Sequence, residues 1–72
     1  RHTSAGRMDI VVQTEKYVYV MELKMDSSAD EALQQIEDKG YAKPFAADPR
    51  KLFKIGVNFA SATRRIEGWK IQ

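Results

Sequence analysis

Three charged residues interrupt two apolar stretches of this 72-residue chain, at positions where a sheet favours valine. Asp9 lies in the first stretch, and Glu22 and Lys24 close the second. Two adjacent carboxylates suit Mg²⁺, which takes one or two carboxylates, several waters and phosphate oxygens as ligands. A lysine beside the cation orients or deprotonates an attacking water, or stabilises charge on a phosphate. Brought together, these residue types suit metal-assisted phosphodiester hydrolysis.

The spacing of apolar residues predicts the elements that position this cluster. β-Branched and aromatic residues alternate along the strands, and a stripe at 3–4 spacing marks one helix. Asp26-Ser27-Ser28 is typical of a helix start, and Gly40 and Pro44 of its end. The prediction is strands at 8–14, 17–24, 51–59 and 65–71, a helix at about 28–41, loops at 1–6 and 46–50, and a turn at 60–64.

The order strand, strand, helix, strand, strand indicates one small α/β (α+β) domain. Its helix is expected to cross over between parallel second and third strands, and its outer connections to be hairpins. The result is a mixed four-stranded sheet of order β-β-α-β-β with one crossover helix packed on it.

The register of the first hairpin decides whether the charged residues meet. A two-residue turn at Glu15-Lys16, or a four-residue loop with the same centre, makes Asp9 and Glu22 direct cross-strand partners. Their Cβ atoms then lie about 5 Å apart on one face, which Lys24 shares. A slip of one residue moves Asp9 to the opposite face. The alternative interpretation is that all three are strand-end charges at a solvated rim, with Lys24 paired to one acid.

Composition limits the class of protein. Hydrophobic residues make up 43% of the chain and charged residues 31%, as in globular proteins. The chain has no cysteine and no apolar run long enough to span a membrane, and we expect a cytoplasmic location. The net charge of +2 permits a nucleic-acid partner without requiring one. Because the chain begins without methionine, we expect it to be part of a longer protein.

The sequence resembles the PD-(D/E)XK nuclease superfamily over residues 6–71. The short signature is Asp9 followed by Glu22-Leu23-Lys24, and five blocks extend it in order. In particular, it resembles the nuclease-like domain often found C-terminal to predicted AAA-ATPase domains in bacterial proteins. The blocks are GRMDIVV, YVYVMELK, ADEALQQIEDKGYA, KIGVNFAS and RRIEGWKI.

The resemblance implies a restriction-endonuclease-like core and a role for each matching residue. Asp9 and Glu22 match the ligands of Mg²⁺ or Mn²⁺, and Lys24 matches the catalytic lysine. Gln35 matches a glutamine that many relatives place near the active site, and an ordinary exposed helix glutamine is the competing interpretation. Met8 stands where many relatives have proline. The family core commonly begins with a further helix and strand, and we expect residues 1–72 to be a single domain without them.

The resemblance also makes DNA the expected substrate, with RNA not excluded. Arg7 and Lys43 are the first choices for contacts to the nucleic-acid backbone, followed by Lys39 and by Tyr41, an aromatic that the family pattern places after the helix. Scattered solvated charge is the competing explanation for the basic residues.

Both faces of the first hairpin carry apolar side chains, and strands of this kind require cover on both sides. One helix covers one face. We therefore expect a homodimer, or contact with a preceding segment, at the second face. A rival function follows from the same features: a non-catalytic module for dimerisation or nucleic-acid docking of an attached ATPase.

Overall fold

The structure is a computed structural model that describes residues 3–4 and 7–72. It contains the four predicted strands and the predicted helix, which confirms the α/β (α+β) class and the single crossover helix. The elements are β1 (Thr3–Ser4), β2 (Arg7–Gln13), β3 (Tyr17–Met25), α1 (Ala29–Lys39), a 3₁₀ helix (Lys43–Phe45), β4 (Lys51–Ala60) and β5 (Arg65–Ile71).

The strands form one mixed sheet in the order β1-β2-β3-β4-β5. β3 and β4 are parallel, and every other neighbouring pair is antiparallel. The predicted loop at residues 1–6 was wrong where β1 forms. Thr3 and Ser4 have no apolar alternation, yet they pair with Met8 and Arg7 in the sheet. The rest of that loop, residues 1–2 and 5–6, lies outside the described residues.

Helix α1 has the start and end that its flanking residues predict. Ser28 is the N-cap, and its hydroxyl accepts the Glu31 N–H at 3.0 Å. Gly40 ends the helix in a left-handed conformation with φ of 67°, which glycine adopts without steric cost. The helix ends at Lys39 instead of at the predicted residue 41, because residues 40–41 form the turn that follows it.

The hydrophobic core lies between α1 and one face of the sheet. Val18 and Val20 of β3 pack with Ile36 of the helix, and all three side chains are buried. Tyr41 and Leu33 pack against this cluster from its edges. These contacts fix the helix over the same face of β3 that carries Glu22, because residues two apart in a strand share a face.

The opposite face of the sheet is apolar and largely uncovered in the described part of the chain. Tyr19 and Phe53 stack on it with ring centroids 5.3 Å apart. Trp69 is 63% exposed and Ile71 54% exposed at its β5 edge. The helices that the structure describes include none long and apolar enough to cross a membrane.

Candidate active site

The hairpin register places the charged cluster on one face. Asp9 pairs with Glu22, and Arg7 pairs with Lys24, across β2 and β3. All four side chains therefore project to the face covered by α1. The predicted pairing of Asp9 with Glu22 is confirmed, while the chemical roles of these residues remain predictions.

A glycine beside Glu22 explains the depth of its burial. Gly56 of β4 is the register partner of Glu22. A methyl group at Gly56 would stand 2.4 Å from the carbonyl oxygen of Ala29 and 2.8 Å from the amide nitrogen of Leu33. The helix backbone thus lies directly on the glycine and extends over its neighbour. Glu22 is fully buried, with 0% exposure, while Asp9 and Lys24 are half-buried.

Burial dominates the electrostatics of the Glu22 carboxyl group. Loss of solvation raises its pKa above 4.5, and the nearby Asp9 raises it further. Arg7 and Lys24 act in the opposite direction, and Arg7 has the larger effect of the two. The balance of these effects disfavours the charged carboxylate. A stronger positive charge beside Glu22 would therefore stabilise its ionised form.

Arg7 faces the site rather than the solvent. Its Nε lies 3.3 Å from Glu22 Oε2, and its Nη2 donates to the Tyr41 hydroxyl at 2.9 Å. The hydrogen bond to Tyr41, followed by the charges of Glu22 and Asp9, raises the pKa of Arg7. The strand begins at Arg7, one residue before the predicted start at residue 8, and pairs Arg7 directly with Lys24.

Lys24 lies at the open end of the cluster. It pairs with Arg7 on one side and with Asn58 of β4 on the other. Asn58 does not bind Lys24 but accepts the Ser27 N–H at 2.8 Å, which holds the chain leading into α1. Over residues 7–72, Lys24 has no carboxylate within ion-pair distance, so the rim alternative in which Lys24 pairs with an acid is not observed.

The remaining predicted site residues lie on α1 and just beyond it. Gln35 is half-buried on the helix, between the fully buried Ala32 and Ile36, while Lys39 is exposed in the last turn. Tyr41 follows the helix and reaches Arg7. Lys43 is exposed, with its aliphatic stem against Gly40, where an added methyl group would meet Lys43 Cδ at 3.0 Å. Tyr41 therefore joins the cluster directly, whereas Lys39 and Lys43 are exposed at the end of the helix and just beyond it.

The hydrogen bonding of the carboxylates bears on whether they can bind a metal. Both Glu22 oxygens are buried and lack a hydrogen-bond partner among the described residues, although a carboxylate offers about four acceptor positions. No cluster of three or more His, Cys, Asp or Glu side chains able to hold a metal occurs in this part of the chain. Two carboxylates, one with unmet oxygens, fit a hard cation such as Mg²⁺ that keeps its other ligands as water.

Two features of the site were not predicted from the sequence. The first is the contact of Arg7 with Glu22 and Tyr41, which joins residues far apart along the chain. The second is the close packing of α1 on Gly56. A glycine inside an otherwise apolar strand was an available signal for the second feature, since such glycines often mark a close backbone approach.

Comparison with known proteins defines the class to which this fold and site belong. The sequence profile of the PD-(D/E)XK nuclease superfamily matches residues 1–69. The chain therefore belongs to the PD-(D/E)XK nuclease superfamily, and its mixed sheet with one helix is consistent with the restriction-endonuclease-like fold.

One curated relative is an uncharacterized protein in the vnfD 5' region of Azotobacter chroococcum mcd 1. It is 36% identical over 72 residues, which cover 97% of this chain and 14% of that protein. The chain thus spans about a seventh of the length of this relative. No solved structure was found to match the chain.

Proposed function

We propose that this protein is a metal-dependent nuclease that hydrolyses DNA phosphodiester bonds. One observation carries the proposal: Asp9 and Glu22 are cross-strand partners on the helix-covered face, and the buried Glu22 oxygens have no hydrogen-bond partner in the described residues. Membership of a nuclease superfamily supports the same conclusion.

Asp9 and Glu22 are the proposed ligands of Mg²⁺ or Mn²⁺. When bound, such a cation supplies Lewis-acid activation of water and neutralises charge on a phosphate. Glu22, fixed by burial beneath α1, contributes a ligand with one defined position. Asp9, half-buried beside it, contributes a ligand that incoming solvent and phosphate can reach. Gln35, half-buried on the helix above the sheet, is a proposed positioning residue at the rim of the site.

Lys24 is the proposed catalytic amine. It shares the face of Glu22, two residues further along β3, and it is free of ion pairs in the described residues. An amine so placed donates hydrogen bonds to an attacking water or to a phosphate oxygen. Lys39 and Lys43 are proposed to bind the nucleic-acid backbone, because both are exposed, Lys39 in the last turn of the helix that covers the site and Lys43 shortly after it. Tyr41 and Arg7 complete the proposed nucleic-acid surface.

Plasmid nicking tests the proposal. The intact protein that contains this chain is incubated with supercoiled DNA and Mg²⁺, beside the Asp9→Ala and Glu22→Ala variants. We expect nicked product from the unaltered protein and none from either variant. Lys16→Ala is the matched control, since Lys16 is exposed in the hairpin turn at the far end of β3. Equal nicking by all four proteins would mean that these carboxylates do not hold a required metal. A parallel reaction with single-stranded RNA tests the other nucleic acid.

A second candidate is a non-catalytic module that serves dimerisation or nucleic-acid docking of an attached ATPase. It is favoured by the contact of Arg7 with Glu22, which places a protein cation where a metal is proposed. Metal binding without cleavage by the intact protein would favour this candidate. Both candidates are compatible with the expected cytoplasmic location.

For either candidate, we propose that a second copy of the chain covers the open sheet face. This face is apolar, with Tyr17, Trp69 and Ile71 exposed, so two copies can meet without like-charge repulsion. Light scattering at micromolar concentration is expected to give a dimer, and Trp69→Lys is expected to give a monomer. A monomer for the unaltered chain would point instead to a preceding segment as the cover.

A further inference from the structure

Arg7 occupies the position from which a cation neutralises Glu22. It begins β2, shares the face of Asp9, and its guanidinium bridges the sheet and the residue after the helix turn. One end, Nε, lies 3.3 Å from Glu22 Oε2, and the other end donates to Tyr41 at 2.9 Å. The guanidinium is thus held on one side by an ion pair with Glu22 and on the other by a hydrogen bond with Tyr41.

The contact at the Glu22 end is incomplete. Arg7 Nε and both Glu22 oxygens are buried, and none has a hydrogen-bond partner in the described part of the chain. The pair therefore gains charge attraction without a well-directed hydrogen bond, and an unmet buried polar atom carries a desolvation cost. By contrast, the Arg7–Tyr41 hydrogen bond has ordinary length. The guanidinium is bound better at Tyr41 than at Glu22.

We infer that Arg7 is an internal cation that competes with the divalent metal for Glu22. In the free protein the guanidinium neutralises the buried carboxylate. A divalent ion with twice the charge displaces it from Glu22, while Tyr41 keeps it beside the site. This inference rests on the proposed metal site and concerns its regulation.

Competition follows from the arrangement of charge. Two cations held against one buried carboxylate repel each other strongly where water does not screen them. Tyr41 anchors the guanidinium beside Glu22, and the guanidinium has a path to solvent, because the Arg7 side chain is 30% exposed. The displaced Nε–H and the N–H groups of Nη1 are then free to donate to a phosphate. Metal binding would thus prepare Arg7 to receive the substrate backbone.

The inference predicts that removing Arg7 tightens metal binding. If the guanidinium occupies Glu22 about nine-tenths of the time, the apparent metal affinity is about tenfold below its intrinsic value. Mn²⁺ titration followed by electron paramagnetic resonance should therefore give about tenfold tighter binding for Arg7→Gln. Weaker or unchanged binding would overturn the inference, because it would mean that Arg7 positions Glu22 or has no part in binding.

Removal of a positive charge alone also attracts cations, so a variant that keeps every charge is required. Tyr41→Phe removes only the hydroxyl group that anchors Arg7. We expect it to tighten Mn²⁺ binding about two- to threefold, because a less constrained guanidinium is displaced more readily. If Tyr41→Phe leaves the Mn²⁺ affinity unchanged while Arg7→Gln binds Mn²⁺ more tightly, Arg7 acts only through its positive charge. That result would contradict the inference that Tyr41 holds Arg7 against Glu22. Thermal unfolding of both variants verifies that each is folded.

Nuclear magnetic resonance follows the displacement directly. The Arg7 Nε–H signal is assigned by its absence in Arg7→Gln and then observed while diamagnetic Mg²⁺ is added. We expect it to move in step with the backbone amides of Asp9 and Glu22. Amides that move while the Arg7 signal stays still would overturn the inference and leave the metal site intact. Failure of all variants to bind either metal would instead overturn the proposed function and this inference together.

Discussion

Glu22 and Gly56 are register partners on the parallel strands β3 and β4, and helix α1 lies directly on the glycine. The missing side chain at Gly56 allows the helix backbone to approach the sheet, and this approach also covers Glu22. A packing feature of one strand thus determines the solvation of a carboxylate on the next. The burial raises the pKa of Glu22, and among the described residues the Glu22 oxygens have no hydrogen-bond partner.

The first prediction concerns Gly56→Ala. The added methyl group would meet backbone atoms of Ala29 and Leu33, which cannot rotate away, so the helix must shift. We expect the free energy of unfolding to fall by about 1–3 kcal/mol, as for other overpacked cores. Urea unfolding followed by circular dichroism measures it.

Gly68→Ala is the matched control. Gly68 also lies in a strand, β5, and among the described residues no atom beyond its own and its chain neighbours' stands within 4 Å of an added methyl group. Its effect on stability should stay within about 0.5 kcal/mol. If both variants unfold at the same urea concentration, the helix does not depend on Gly56 for its position.

The second prediction is that the charge of the buried Glu22 side chain lowers the stability of the folded protein. Because the net effect of its surroundings raises its pKa, the charged form is disfavoured in the folded protein. Glu22→Gln removes that charge and should raise the melting temperature at pH 7 in the absence of metal. A lower melting temperature would mean that the ion pair with Arg7 outweighs desolvation.

The pH dependence of this effect has a defined sign. A carboxyl group with a raised pKa binds a proton more tightly in the folded state than in the unfolded state. The stabilisation from this proton is therefore fully present below pH 4.5 and is lost as pH rises through the pKa of the folded state. The stability gain of Glu22→Gln over the unaltered protein should therefore grow as pH rises from about 4.5. Calorimetry between pH 4 and 8 would follow it.

The third prediction concerns a clamp between the loop before β4 and the first hairpin. Arg50 donates to the carboxylate of Asp48 and to the carbonyl oxygen of Thr14. The hydrogen bonds from Arg50 lower the pKa of Asp48 to about 2. The stabilisation of the folded protein by the charged Asp48 carboxylate is therefore fully present above pH 3.8 and is lost as pH falls through about 2.

Asp48→Asn should therefore lower the melting temperature at pH 7 and have a much smaller effect near pH 2. Thermal unfolding of both proteins across this range measures the difference. A difference that is the same at pH 7 and pH 2 would show that the charge of Asp48 does not hold the clamp together.

The fourth prediction separates the role of Lys24 from that of the carboxylates. Lys24→Ala removes the proposed catalytic amine but neither proposed ligand. We expect DNA cleavage to fall by about 10²–10⁴-fold, as when other general acid–base groups are removed. Metal affinity should be retained or rise, since a neighbouring positive charge is lost. A parallel loss of Mn²⁺ binding would mean that Lys24 supports the structure of the site instead.

The sequence was sufficient to predict that Asp9 pairs with Glu22. Side chains alternate strictly along a strand, and a turn centred on Glu15-Lys16 determines every pair of the hairpin. It was also sufficient to predict the helix start at Ser28, whose hydroxyl caps the first turn locally, whereas the helix end was predicted two residues too late. It was insufficient for the Arg7 contact, which depends on where Tyr41 emerges after the helix turn. It was likewise insufficient for the depth of Glu22, which depends on how closely α1 approaches Gly56.

The most direct measurement is the anomalous diffraction of a crystal soaked in Mn²⁺. We expect a single strong peak between the carboxylates of Asp9 and Glu22, with the Arg7 guanidinium moved away from Glu22. A soaked crystal with no peak at this position, and with Arg7 still against Glu22, would mean that these carboxylates do not bind the metal and would contradict the proposed function.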